Sequence, residues 1–343
     1  MNSSQPPLHS QLLTMASGYW LSQCIYVAAK LGIADYLKEK PLSCADLAEA
    51  TQSDSSCLYR LLRALASAGI FMETEPQHFA LTPLAEYLRS DVNRSMRATV
   101  IMLGEKEHYQ AWGDLLHSIQ TGEPAFEYCF GMGVFEYFQH HPAAAEIFAQ
   151  SMNSFSSFDV AAVSAVYDFS EFQTLVDVGG GYGEMLATLL QQYPHSQGIL
   201  FDEKYVIDHC QPTLKRHNIA HRCQAVSGNF FDEVPSGGDA YLLKHIIHDW
   251  DDQRAITILR NCCRAMPNHS KILVMEMVVP SGNTPSLSKM MDLNMLVMTP
   301  GGKERTEAEF YSIFEQAGLQ LTRIIETAEE IKIIEGQKIS SSP

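Results

Sequence analysis

The chain has 343 residues, room for two domains of ordinary size, with 46% hydrophobic and 19% charged residues and no low-complexity tract, so a compact globular protein is expected. Its formal net charge of −16 would repel a phosphate backbone, and no local basic patch offsets it, so nucleic acid is not an expected partner. No apolar run reaches the ~20 residues of a membrane helix, MNSSQPPLHS lacks the basic and apolar regions of a signal peptide, and the eight cysteines are scattered, which together suggest a cytoplasmic protein with reduced thiols.

From Leu12 to about Leu37 apolar residues recur at helical spacing, and LSCADLAEATQSDSSCLYRLLRALASAGIF then reads as helix, turn, helix, with Ser53 or Asp54 as the cap. FMETEPQHFALT follows as a two-stranded hairpin. Helix-turn-helix plus hairpin is the winged-helix pattern. Its second helix offers only Arg60 and Arg63 as cations, so packing or dimerisation fits better than DNA binding. LLTMASGYWLSQCIYVAAKLGI is apolar around too much of its circumference for a lone surface helix, and is expected to bury against a second subunit.

Between Met96 and Val166 the pattern is helical and rich in aromatic residues and methionine. From Thr174 onward short β-branched runs (LVDV, GILFD, DAYLL, KILVMEM) alternate with helical segments, the signature of a doubly wound α/β sheet. The boundary is expected near residue 100, dividing the chain into 1–100 and 101–343, with the linking helices in the second domain.

In such a sheet a glycine-rich turn at a strand's carboxyl end lets backbone approach a ligand. LVDVGGGYGE has Glu184 where the dinucleotide fingerprint would have its third glycine, a charge that argues against a pyrophosphate. The order D-x-G-G-G-x-G, with Asp177 first, suits a ligand with an amino acid end and a nucleoside but no phosphates, such as S-adenosylmethionine. Asp202 ends the next strand, where a carboxylate can accept from both ribose hydroxyls.

DAYLLKHIIHDWDDQ is a strand that stops at His245, His248, Asp249, Asp251 and Asp252. KILVMEMVVP places Glu276 at the end of the following strand, and PGGKERTEAEF holds Glu304 in a loop. Adjacent parallel strands would bring His248 and Glu276 to one rim, a base with an orienting carboxylate. His245 reads as structural. HIIHDWDD offers no closed tetrahedral ligand set, so no metal is expected.

LVDVGGGYG, FDEKYVI, LLKHIIHDWDD and PGGKERTEAEF, in that order, together with AWGDLLHSIQTGEPAFEY, resemble the small-molecule O-methyltransferases of the caffeic acid, hydroxyindole and bacterial secondary-metabolite group. The resemblance spans nearly the whole chain. It implies a Rossmann-like methyltransferase domain behind an N-terminal winged-helix dimerisation domain that is all-helical apart from the hairpin, a homodimer, and S-adenosylmethionine converted to S-adenosylhomocysteine. It further implies His248 as general base, with Glu276 and Glu304 orienting it, and Asp249 in contact with the acceptor. Asp177, Gly179, Gly181, Asp202 and Lys244 would hold the cofactor. Asn229 and Phe230 would meet the adenine where plant relatives have Asp-Met, so the bond there would be uncharged and weaker. Met152, Phe155, Met291, Asn294 and Met298 would line the acceptor pocket, which suits a small aromatic or polyketide-like hydroxyl compound, most simply a phenol. A relative that binds the cofactor yet decarboxylates or hydroxylates, and a metabolite-sensing winged-helix regulator, are the alternatives.

Overall fold

The computed structural model describes residues 6–339, so the first five residues of the stretch read for a leader lie outside it, as do the last four of the chain. The chain divides into two compact units. The first holds the residues up to Tyr109 together with Phe138–Ser154, and the second holds Gln110–Tyr137 and everything from Phe155 onward. The segment 138–154 is tied to the first unit by a buried hydrogen bond from Ser151 Oγ to Thr99 Oγ1 at 3.0 Å.

In the first unit the leading helical stretch is broken into Leu8–Ala16, Gly18–Leu31 and Ile33–Tyr36. Gly32, left-handed at φ 67°, ends the second of these. Asp54 rather than Ser53 caps Ser55–Ser67, accepting from the Cys57 amide at 2.8 Å. One face of that helix, Leu58, Leu62 and Leu65, packs into a core with Ile33, Leu47, Phe71 and Phe79. The hairpin is present as β2 (Phe71–Glu75) and β3 (His78–Leu81), and a short β1 (Leu42–Ser43) joins β3 as a third strand. Leu12, Leu13, Met15 and Trp20 each stand more than 60% exposed, so the apolar circumference noted in the sequence remains uncovered among the described residues.

The second unit is an eight-stranded sheet. Its strands are β4 (Thr174–Val178), β5 (Gln197–Asp202), β6 (Cys223–Ser227), β7 (Ala240–Lys244), β8 (Lys271–Val279), β9 (Arg305–Thr306), β10 (Leu319–Ile325) and β11 (Ile331–Lys338). Their order is β10-β11-β8-β7-β4-β5-β6, with β9 against β8. The four expected strands are all parallel neighbours, whereas β10 and β11 add an antiparallel edge. Successive residues feed opposite cores: Val176 and Val178 pack on one side, Leu175 on the other. Burial on both faces explains why these strands read as continuous apolar runs. The strand order reverses between β4 and β7, which opens the crevice where ligands of such sheets bind.

Candidate active site

The glycine loop leaves β4 and enters the helix Glu184–Gln192. Gly179 and Gly181 both adopt left-handed φ, 70° and 59°, which β-carbon-bearing residues enter only at a cost. At Gly181 a β-carbon would meet nothing within 4 Å, whereas at Gly180 it would lie 2.5 Å from Leu200 and 2.6 Å from the Asp177 carboxyl. Gly180 is therefore bare for packing, and Gly181 faces open space. Asp177 is buried beneath the loop, and its Oδ2 has no hydrogen-bond partner among the described residues. Burial raises its pKa to about 7, against the pull of Lys244. Asp202, at the end of β5, is pre-set by amides: Gly181 donates to Oδ2 at 2.8 Å and Glu203 to Oδ1 at 2.7 Å. Its pKa is also raised by burial.

Glu184 does not face the loop. Its carboxylate pairs with Arg216 and accepts from His217 at 3.0 Å, so the sequence argument that it repels a pyrophosphate has no geometric basis. Asn229 spends its amide oxygen on the Phe231 amide, 2.9 Å away. Phe230 stands next to Gly179, within 3.7 Å of where a β-carbon would be. Asn261, unremarked in the sequence, is buried and donates to the carbonyls of Phe230 and Phe231, both at 2.9 Å.

Across the crevice the turn after β7 is fixed by charged side chains on its backbone. Glu276, fully buried near the end of β8, accepts through Oε1 from the amides of Ile246, Ile247 and His248 at 3.0, 2.8 and 3.3 Å. Arg305, buried on β9, donates to the carbonyls of Ile247 and Trp250, both at 2.8 Å, and to Asp252 at 3.0 Å. The Lys303 amide donates to the His248 carbonyl at 2.8 Å. Gly302 sits so close that a β-carbon would lie 2.8 Å from that same carbonyl. The turn in turn braces the glycine loop, because a β-carbon at Gly179 would lie 2.5 Å from Ile246.

His248 lies within this frame. Its Nδ1 is 2.8 Å from Glu304 Oε1 and 3.3 Å from Glu276 Oε2, and its Nε2 is 3.7 Å from Asp249 Oδ1. Burial alone would lower the imidazole's pKa, but Glu276, Glu304 and Asp249 outweigh it and hold the proton well above the ordinary histidine range. Glu276 goes the other way: burial would raise it, and the cationic imidazoles hold it down. Burial lifts Asp249 to about 6. Glu304 is itself positioned by its amide, which donates to Asp292 Oδ1 at 3.0 Å.

His245 is not remote from this group. Its ring stacks on His248 at 5.3 Å between centroids, and its Nε2 is 2.9 Å from Asp159 Oδ2. One donor atom each from His245, His248 and Glu276 lies within 4.8 Å of the others. Glu304 already engages His248 Nδ1, so a cation there would have to displace a proton shared with a carboxylate.

Among the acceptor candidates, Phe155, Asp249, Met291, Asn294 and Met298 belong to the second unit and Met152 to the first. The helix Leu287–Met298 carries Met291, Asn294 and Met298. Asn294 accepts from Trp112 Nε1 at 2.9 Å, and its amide nitrogen lies 3.8 Å from Met291 Sδ; Trp112 is a partner that spacing alone could not supply.

A sheet of this order, a glycine loop with a buried acid beneath it and an oriented carboxylate at the end of the neighbouring strand define the class of Rossmann-like methyltransferases. The comparisons with known proteins agree. The O-methyltransferase domain matches residues 112–320, and the O-methyltransferase dimerisation domain matches residues 13–91. The chain is 46% identical over 333 residues to the phenazine O-methyltransferase PhzM of Lysobacter antibioticus, covering 97% of each. The crystal structure of LaPhzM superposes with a TM-score of 0.92 at 46% identity, over 97% of this chain and all of that one. The S-adenosylhomocysteine-bound methyltransferase CalO1 of calicheamicin biosynthesis gives 0.86 at 34% identity, over 98% of this chain and all of that one. The chain belongs to the S-adenosylmethionine-dependent O-methyltransferase family and is a methyltransferase.

Proposed function

We propose that the protein is a homodimer that methylates a hydroxyl, most simply a phenolic one, on a small aromatic or polyketide-like metabolite, a hydroxyphenazine being the first to try, with His248 as general base. The observation that carries the base assignment is the pair of carboxylates, Glu304 and Glu276, on His248 Nδ1. They fix the tautomer and leave proton exchange to Nε2. The relative named for phenazine O-methylation supports the acceptor class, and the uncovered apolar side chains of the first helices, within a matched dimerisation domain, support the homodimer.

S-adenosylmethionine, when bound, supplies an electrophilic methyl on a sulfonium and leaves as S-adenosylhomocysteine. The chain's part is to hold and orient. Asp202 would accept from the ribose hydroxyls, Asn229 and Phe230 would flank the adenine, and Asp177, Gly179, Gly181 and Lys244 would take the methionyl side. The orphaned Oδ2 of Asp177 and the open space at Gly181 fit such a ligand. Asp249 with Phe155, Met291, Asn294 and Met298 of the second unit would position the acceptor. Alignment of oxygen, methyl and sulfur in a dry site is worth up to ~7–11 kcal/mol.

The base acts on a smaller scale. A phenol has a pKa near ~10 and an unperturbed imidazole one near ~6.5, so raising the proton affinity of His248 brings donor and acceptor closer to balance. The cost is a scarcer neutral imidazole at pH 7, and kcat/KM is therefore expected to rise with pH above neutrality.

The test is to incubate the protein with S-adenosylmethionine and a panel of phenols, catechols and hydroxyphenazines, with His248→Gln in parallel, and to read products by mass. A methylated product that falls by about 10² to 10⁴ in rate without His248 is expected. Undiminished turnover in the variant would remove His248 as base. Binding of S-adenosylhomocysteine without methylation of any acceptor would favour the decarboxylating or hydroxylating alternative.

A further inference from the structure

We propose that His245, pinned by Asp159, is a positioning residue that tunes the proton affinity of His248 through the carboxylate oxygen the two imidazoles share, Glu276 Oε2. The inference rests on the reading of His248 as the base. Three observations converge on it. His245 Nδ1 and His248 Nδ1 lie 3.7 and 3.3 Å from that one oxygen, and the two rings are stacked 24° from parallel. His245 Nδ1 and Glu276 Oε2 are both buried and make no hydrogen bond among the described residues, so both imidazoles face one unsatisfied carboxylate oxygen. The backbone of His245 is left-handed, φ 53°, a conformation that glycine or asparagine adopts at lower cost. Its ring is anchored at Nε2 to the buried Asp159 on another element, 2.9 Å away, which fixes where Nδ1 points.

The groups facing His245 are Asp159 on the helix Pro142–Val166, Glu276 on β8, Lys244 beside it on β7, and His248 on the following turn. Burial would strip its proton, but Asp159 and Glu276 outweigh burial and raise its pKa, which favours the imidazolium form. In that form His245, its ring centroid 5.3 Å from that of His248, opposes the three carboxylates around the base. Without it they would bind the proton on His248 more tightly still, and a base that never gives up its proton cannot take one from an acceptor.

The experiment is a titration of ¹³Cε1-labelled histidine in the intact protein, with the His248 resonance assigned by His248→Gln. His245→Asn keeps a residue that tolerates left-handed φ and removes the cation. It is expected to move the His248 midpoint up by about one pH unit, and the alkaline rise of kcat/KM for whichever acceptor the panel shows to be methylated by the same amount. Asp159→Asn, which lets His245 lose its proton, is expected to shift the midpoint in the same direction and serves if His245→Asn does not fold. An unchanged His248 midpoint in the folded variants would overturn the proposal and leave His245 a turn residue. Turnover that survives His248→Gln would instead remove the base assignment, a result that the titration, which needs no turnover, keeps separate.

Discussion

The two loops that flank the crevice are built on opposite principles. The turn 245–250 is held by buried charge: one carboxylate on three amides, one guanidinium on two carbonyls. The loop 179–183 is held by the absence of side chains, with Gly180 bare so that Leu200 and Asp177 can pack and Gly181 bare with nothing against it. A reacting group has to be placed to a fraction of an ångström, so its backbone is satisfied before any ligand arrives. The loop 179–183 leaves volume instead, since a β-carbon at Gly181 would meet nothing within 4 Å among the described residues.

Arg305→Met should break the comparison most strongly. The variant keeps the aliphatic volume but leaves the carbonyls of Ile247 and Trp250 without donors, at a cost of about 3 kcal/mol read by urea denaturation. Turnover should fall steeply while S-adenosylhomocysteine affinity, measured by calorimetry, changes only a few-fold; an equal loss of both would mean that the two loops are one unit.

Asp177→Asn tests the other loop. Because burial raises the folded pKa to about 7, above the ordinary carboxylate value, the wild-type protein carries the full cost of a buried charge above pH 7 and sheds it as pH falls toward 4. The variant should therefore be more stable than the wild type at pH 8, by on the order of 2–4 kcal/mol, with the gap closing by pH 4. A gap independent of pH would show that the carboxyl ionises at the same pH in the folded and unfolded chains.

Gly181→Ala sharpens the contrast, since left-handed φ costs only ~1 kcal/mol while the methyl enters the open space proposed for the cofactor. S-adenosylhomocysteine binding should weaken about tenfold or more with little change in melting temperature. Asn229→Asp carries the smallest expected effect. A charged acceptor for the adenine amino group should tighten cofactor binding by roughly a few-fold, and no change would place Asn229 outside that contact.

The sheet was legible because its central strands are buried on both faces and read as apolar runs ending at polar residues, which also gave away Asp202, His248 and Glu276. The edge was not, since β10 (LQLTRII) alternates exposed and buried residues and its pairing with β11 carries an irregularity between Leu321 and Arg323. Glu304 was visible as a loop carboxylate but took its role only from family resemblance, because a loop position has no strand geometry to fix it. Arg305, its neighbour, passed unnoticed: nothing in a sequence separates a cation that grips carbonyls inside the protein from one in solvent. Asp159 and Asn261 were missed for the same reason, their partners lying 86 and about 30 residues away. Glu184 shows the converse, a correct position with a side chain that turns elsewhere.

Glu276 divides its two oxygens between the backbone of the turn and the imidazoles. In a mutational scan scored by expression level it would register as a folding residue, and in one scored by product it would register as part of the chemistry. Neither score alone would reveal that a single carboxylate answers to both, so its tolerance to substitution should be narrower than either screen predicts.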